Sequence, residues 1–122
     1  MIILLADDNS EVRSALRLLL EQEPIPATVI DVEDIQGLRM HLTGDCPMIL
    51  LLDWELPGLQ CSSLLSLVRS RCPGMKVIAL SSRYEARREA MTARVDAFVS
   101  KSEPPERILS TICGFLPERT DD

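Results

Sequence analysis

The chain has 122 residues, 46% of them apolar and 26% charged, which excludes disorder over most of its length and allows one domain but not two. Thirteen basic residues against nineteen acidic ones leave a net charge of −6. That excludes direct nucleic-acid binding by this piece alone, because neutralising phosphates needs a basic face. No apolar run is long enough to span a membrane, and Met1 runs straight into Ile-Ile-Leu-Leu without a basic leader. These features read as a cytoplasmic protein with no membrane contact. The cysteines, Cys46, Cys61, Cys72 and Cys113, form no Cys-x-x-Cys, and the lone His41 completes no zinc spacing. The expectation is reduced thiols serving as small core residues.

The first apolar run, Ile2 to Ala6, reads as a strand and ends in Asp7-Asp8. Val12, Ala15, Leu16 and Leu19 then recur at helical spacing after Asn9 or Ser10 as cap. A second run, Ala27 to Val32, leads into Asp31 to Asp34 and a short helical segment with His41 on its surface. The third run, Met48 to Leu52, delivers Asp53; Cys61, Leu64, Leu65 and Val68 mark the next helix, stopped by Cys72-Pro73-Gly74. The fourth run, Lys76 to Leu80, ends in Ser81-Ser82, and the helix after it is made basic by Arg83, Arg87, Arg88 and Arg94. The fifth, Ala97 to Ser100, leads to Lys101, and Ile108, Leu109, Ile112 and Phe115 form the last apolar helix face. Residues 1–116 make the domain; Pro117 to Asp122 read as a polar tail or the start of a linker.

Five strand-then-helix units with continuous apolar strands predict an α/β fold, a parallel sheet covered by helices on both faces with right-handed crossovers. In such a sheet the chemistry lies beyond the carboxyl ends of the strands. There Asp7, Asp8, Asp53, Ser81 and Lys101 converge, while the end of strand two lies farther off. Three crowded carboxylates call for a cation, and Mg²⁺ takes carboxylates together with waters and phosphate oxygens. One carboxylate can then act as a nucleophile towards phosphorus, with the hydroxyl and the ammonium neutralising phosphoryl oxygens. Taken singly, the Asp7-Asp8 pair could cap the first helix, Asp53 could be an ordinary strand-to-loop exit, Ser81 could cap the fourth helix, and Lys101 could be a solvated strand-end charge. Four such coincidences at one end of one sheet favour the site. Glu55 and Arg83 lie two residues beyond Asp53 and Ser81 and should pair as a lid over it, with Trp54 a partly exposed packing or contact residue at the rim.

The segments Ile-Leu-Leu-Ala-Asp7-Asp8, Leu-Leu-Leu-Asp53-Trp-Glu-Leu-Pro57-Gly58, Ile-Ala-Leu-Ser81 and Phe98-Val-Ser-Lys101 together resemble the receiver domain of two-component response regulators. The resemblance covers essentially the whole chain, with separations of 45, 28 and 20 residues from Asp8 through Asp53 and Ser81 to Lys101. It implies a flavodoxin-like (βα)5 sandwich with strand order 2-1-3-4-5, the order for which a receiver protein is itself a standard example. It further implies that Asp53 is the phosphoacceptor and that Asp7, Asp8, Asp53 and the Glu55 backbone carbonyl hold Mg²⁺. Ser81 and Lys101 would contact the phosphoryl group, and Ser81 and Phe98 would form the switch, with Phe98 rotating inward. The implied partner is a sensor histidine kinase or phosphotransfer protein. The implied output is a changed surface on the fourth helix, fifth strand and fifth helix. That surface would serve a homodimer or a DNA-binding output domain beyond this chain.

Ser102 stands where the family usually has proline after the strand-five lysine, and Cys61 where a glycine is common. The function expected is a signalling switch that catalyses only its own phosphorylation and dephosphorylation, and not a turnover enzyme. One rival is a phosphorylation-independent protein-binding receiver. Another is an aspartyl-phosphate phosphatase, whose usual Asp-x-Asp arrangement Asp7-Asp8 does not match.

Overall fold

A computed structural model describes residues 1–23 and 25–116, so the expected polar tail lies outside the described residues. Strands and helices alternate as β1 (Ile2–Ala6), α1 (Ser10–Gln22), β2 (Thr28–Val32), α2 (Ile35–His41), β3 (Ile49–Asp53), α3 (Cys61–Arg71), β4 (Lys76–Ser81), α4 (Ala86–Thr92), β5 (Ala97–Ser100) and α5 (Glu106–Phe115). The five strands form one parallel sheet in the order β2-β1-β3-β4-β5.

The continuous apolar runs follow from burial on both faces, because alternate side chains of one strand enter opposite layers. Leu4, Leu50, Leu52, Val77 and Ala79 pack into the layer covered by α2, α3 and α4. Ile3, Leu5, Ile49, Leu51, Ile78, Leu80 and Val99 pack under α1 and α5, where Leu16, Leu20, Ile108 and Ile112 meet them. Asn9 is the cap of α1: its side chain accepts from the backbone N–H groups of Glu11 and Val12. That leaves Asp7 and Asp8 free of capping. Asp34 caps α2 by accepting from the Gly37 N–H, and Gly37 lies so close to β2 that a Cβ there would meet the Val32 Cβ at 3.1 Å.

Asp53 and Ser81 are the last residues of their strands and not the first residues of the loops. The ladder continues past them, with the Trp54 N–H donating to the Leu80 carbonyl at 2.8 Å and the Lys101 N–H to the Ser81 carbonyl at 2.9 Å. Three functional strand ends are therefore held by sheet hydrogen bonds, which makes the site rigid. All described peptide bonds are trans, including the one after Lys101. Arg94 adopts a left-handed φ of 68°, and its carbonyl accepts from Arg69, which also donates to the Met75 carbonyl and to Asp96. One guanidinium thus ties α3 to the turns that lead into β4 and β5.

The expectation of reduced core thiols needs correction. Cys46 and Cys72 form a disulfide, their Cα atoms 5.6 Å apart. The cause is topological: β3 and β4 are parallel neighbours, so the loop entering β3 and the turn ending α3 meet at the amino-terminal ends of these strands, opposite the polar carboxyl ends. The Lys76 N–H donates to the Met48 carbonyl at 3.0 Å beside them. Cys113, also expected to pack inside, is exposed.

Candidate functional site

Asp7 leaves β1 buried, and its carboxylate is divided between two donors. Oδ1 accepts from the Asn9 N–H at 2.9 Å and Oδ2 from the Lys101 ammonium at 2.9 Å. The same ammonium reaches Asp53 Oδ1 at 3.2 Å, which also accepts the Glu55 N–H at 3.0 Å. Asp53 is 2% exposed, whereas Asp8 lies at the surface, and carboxylate oxygens of Asp7, Asp8 and Asp53 come within 4.8 Å of one another. Asp7, Asp8, Asp53 and Lys101, four of the five residues expected at this end of the sheet, are therefore brought together.

Burial pushes the Asp53 carboxyl above its usual range, against the opposing pull of the Glu55 N–H and Lys101. Burial also pulls the Lys101 ammonium down, but its hydrogen bonds and charge contacts with Asp7 and Asp53 outweigh this and hold it above the usual lysine value. Three carboxylates facing one ammonium leave an excess of two negative charges. A hard divalent cation fits that balance and that all-oxygen donor set, and Mg²⁺ is the one such sites take beside phosphate. The Glu55 carbonyl accepts no hydrogen bond among the described residues, so it too is free to serve as a ligand.

Ser81 is fully buried, but its hydroxyl is not turned to Asp53. It donates to Glu55 Oε1 at 2.6 Å and accepts the Arg83 N–H at 3.0 Å. Nor does it cap α4, which begins five residues later. Glu55 and Arg83 pair as expected, at 3.4 Å, and Arg83 also reaches Glu89 of α4 at 3.0 Å.

Two expectations change. Trp54 is 6% exposed and packs into the core, while its indole N–H donates to the exposed Glu89 at 3.2 Å. Phe98 is already packed inward, in the core cluster that includes Ala86, Ala90 and Val95, with the Arg87 guanidinium 5.1 Å above its ring. Phe98 thus occupies the inward position here, with Asp53 unmodified.

Three participants carry no sequence signal of their own. Glu89 is one of many helix-surface carboxylates, the serine–Glu55 bond spans 26 positions, and Arg13 sits on the polar face of α1. Arg13 donates to the Asp7 carbonyl at 2.7 Å and to Asp31 at 3.0 Å, so it braces the acidic loop from the side.

Comparison with known proteins agrees with this geometry. The chain is 27% identical over 94 residues to a protein-glutamate methylesterase/protein-glutamine glutaminase of Cereibacter sphaeroides, covering 77% of this chain and 25% of that protein. It is 25% identical over 116 residues to the transcriptional activator protein ExaE of Pseudomonas putida, covering 93% of this chain and 54% of the activator. The chain thus spans about a quarter and about half the length of these relatives. Among solved structures, the response regulator TrrA of Thermotoga maritima in complex with Mg²⁺-BeF superposes with a TM-score of 0.82 at 21% identity, covering 94% of this chain and 98% of that one. A Francisella response regulator receiver domain superposes with a TM-score of 0.78 at 22% identity, covering 93% and 94%. The family model for the response regulator receiver domain matches residues 3–113, and with nearly the whole chain inside that match, this chain belongs to the receiver-domain family.

Proposed function

We propose that the domain is a phosphorylation-dependent switch in which Asp53 accepts a phosphoryl group from the phosphohistidine of a kinase or phosphotransfer protein in the cytoplasm. The observation carrying this reading is the Lys101 ammonium set between Asp7 and Asp53, at 2.9 and 3.2 Å, beside three mutually close carboxylates. Oδ1 of Asp53 is occupied by two donors, while Oδ2 has no partner among the described residues. Oδ2 is therefore the nucleophile: its lone pair forms the bond to phosphorus as the N–P bond breaks and the histidine nitrogen keeps the electron pair. Asp7, Asp8, Asp53 and the Glu55 carbonyl would hold Mg²⁺, which supplies positive charge opposite the transferred oxygens. Lys101 keeps Asp53 oriented and shifts a hydrogen bond onto a phosphoryl oxygen, a charge-assisted contact suited to a point charge.

The phosphoryl oxygens then compete with Glu55 for the Ser81 hydroxyl. Turning Ser81 away frees Glu55 and Arg83, and Arg83 is bonded to Glu89, so the change reaches α4. The output is a changed α4-β5-α5 surface, where Arg87, Arg88 and Arg94 stand beside Glu103, Glu106 and Arg107. Opposite charges on one face suit a two-fold pairing with a second copy. An output domain beyond this chain would use the same face.

The donor must reach Asp53 from solvent. A groove of about 380 Å³ between α1 and α5 opens beside Lys101, lined by Leu18, Leu19, Gln22, Pro105 and Ile108, so an apolar surface adjoins the site. The phosphohistidine protein would seat there.

Incubation with a small phosphodonor and Mg²⁺ should add one phosphate by intact mass. Asp53→Asn should abolish the addition and Asp31→Asn should leave it. Unchanged modification of Asp53→Asn would overturn the assignment.

A further inference from the structure

We propose that Cys46 and Cys72 form a reversible thiol–disulfide site, exchanging with a low-molecular-weight thiol and its disulfide, of which glutathione is the probe. The pair lies at the amino-terminal ends of β3 and β4, away from Asp53, and its bridge spans 26 positions of sequence. That loop encloses the whole of β3, Asp53 at its end, and the whole of α3. The bridge therefore staples one complete strand-and-helix unit, the one that carries Asp53, Trp54 and Glu55.

The two sulfurs are unequally placed. Cys46 is exposed on the loop entering β3, while Cys72 is 1% exposed in the core cluster beside Val68 and Met75. An external thiolate can reach Cys46 only. Disulfides with an exposed sulfur are the labile kind, and exchange depends on which sulfur is open to attack.

The fold also accommodates the dithiol. Cys46 Sγ lies 3.5 Å from the Arg71 carbonyl oxygen. A disulfide sulfur has no proton to donate, so this contact becomes a hydrogen bond only when Cys46 is a thiol. Cys72, released, is a small apolar side chain in an apolar layer. Two core layers hold the sheet from both sides, so reduction leaves the domain folded.

In the reducing direction a glutathione thiolate attacks Cys46 Sγ, the Cys46–Cys72 bond breaks, and Cys72 leaves as a thiolate that takes up a proton. A second glutathione thiolate attacks the glutathione sulfur of the mixed disulfide and expels the Cys46 thiolate, which is protonated in turn. Two electrons pass to the cysteine pair, and two glutathione thiols become one glutathione disulfide. Oxidation is the reverse.

The test uses the full chain with Cys61 and Cys113 replaced by serine, equilibrated with glutathione mixtures of graded oxidation. Thiol titration should fall from two to none across the series, and an acid-quenched intermediate should carry glutathione on Cys46. Oxidation should raise the urea midpoint by about 1 M or more, because closing a loop of this length restricts the unfolded chain. It should also slow amide exchange in β3 and α3. Adding Cys46→Ser, an exposed change that spares the core, should remove the redox dependence and leave the reduced midpoint. Two thiols at every mixture would overturn the proposal, as would a bridge that survives excess reduced glutathione. So would glutathione on Cys72, or an equal midpoint in the two states.

Discussion

The indole N–H of Trp54 donates to Glu89 Oε2 at 3.2 Å, joining the residue after Asp53 to the middle of α4 across 35 positions of sequence. The Arg83 guanidinium donates to the same oxygen at 3.0 Å. Glu89 is held below the usual carboxylate range first by Arg83 and then by Trp54, so it stays ionised and keeps both donors. The chain has one tryptophan, which makes this bond a reporter of α4. Beryllofluoride with Mg²⁺ should change Trp54 fluorescence, and Glu89→Ala should remove most of the change. An undiminished amplitude in that variant would show that α4 does not report through Trp54.

Metal binding should depend on the acid cluster. Carboxylates crowded without a cation repel one another, so a divalent ion gains affinity by relieving that repulsion. Titrating Mg²⁺ against Trp54 fluorescence should give a saturable signal, and Asp8→Ala, a change at the surface, should weaken it by about tenfold or more. Equal affinity in the variant would remove Asp8 from the ligand set.

Glu55 holds the Ser81 hydroxyl. A hydrogen bond from Ser81 to a charged, part-exposed carboxylate is worth about 1 kcal/mol, or about fivefold in an equilibrium. Glu55→Ala should therefore speed phosphorylation by a small phosphodonor about fivefold. Together with Arg83→Ala it also removes the lid, and hydrolysis of the phosphorylated form should accelerate. Rates equal to or below those of the parent chain would refute both roles.

Stability towards acid should depend on Asp31. The Arg17 hydrogen bond first, and then Arg13, hold its carboxyl below the ordinary value of 3.8. A folded-state value depressed in this way stabilises the domain above pH 3.8, and the contribution disappears as the pH falls through the lower folded value. Asp31→Asn should cost about 1 kcal/mol at neutral pH and much less near pH 2. Urea midpoints at the two pH values measure this, and an equal loss at both would assign the effect to packing.

The α1–α5 groove offers a test of donor docking. Leu18 is 58% exposed at its edge, and a charge there meets an apolar partner face without disturbing the core. Leu18→Glu should slow transfer from a phosphohistidine protein while leaving small-phosphodonor labelling at the parent rate. Slowing of both reactions would point to a damaged site.

The sequence by itself determined the sheet and its reactive edge. Runs such as Met48 to Leu52, short, apolar without alternation and bounded by polar or turn residues, read as strands buried on both faces, and five in the same direction bring their carboxyl ends to one side. Asp7, Asp53, Ser81 and Lys101 were legible because each follows such a run directly, so chain direction alone brings them together. Only the tertiary structure decided which partners those groups hold. Lys101 reaches Asp7 across 94 positions and Ser81 reaches Glu55 across 26, distances over which local pattern carries no information. The reversal of the thiol expectation has the same cause. Cys46 and Cys72 carry no motif, and their meeting depends on β3 and β4 lying side by side, so that the turns feeding them are neighbours at the amino-terminal ends of these strands.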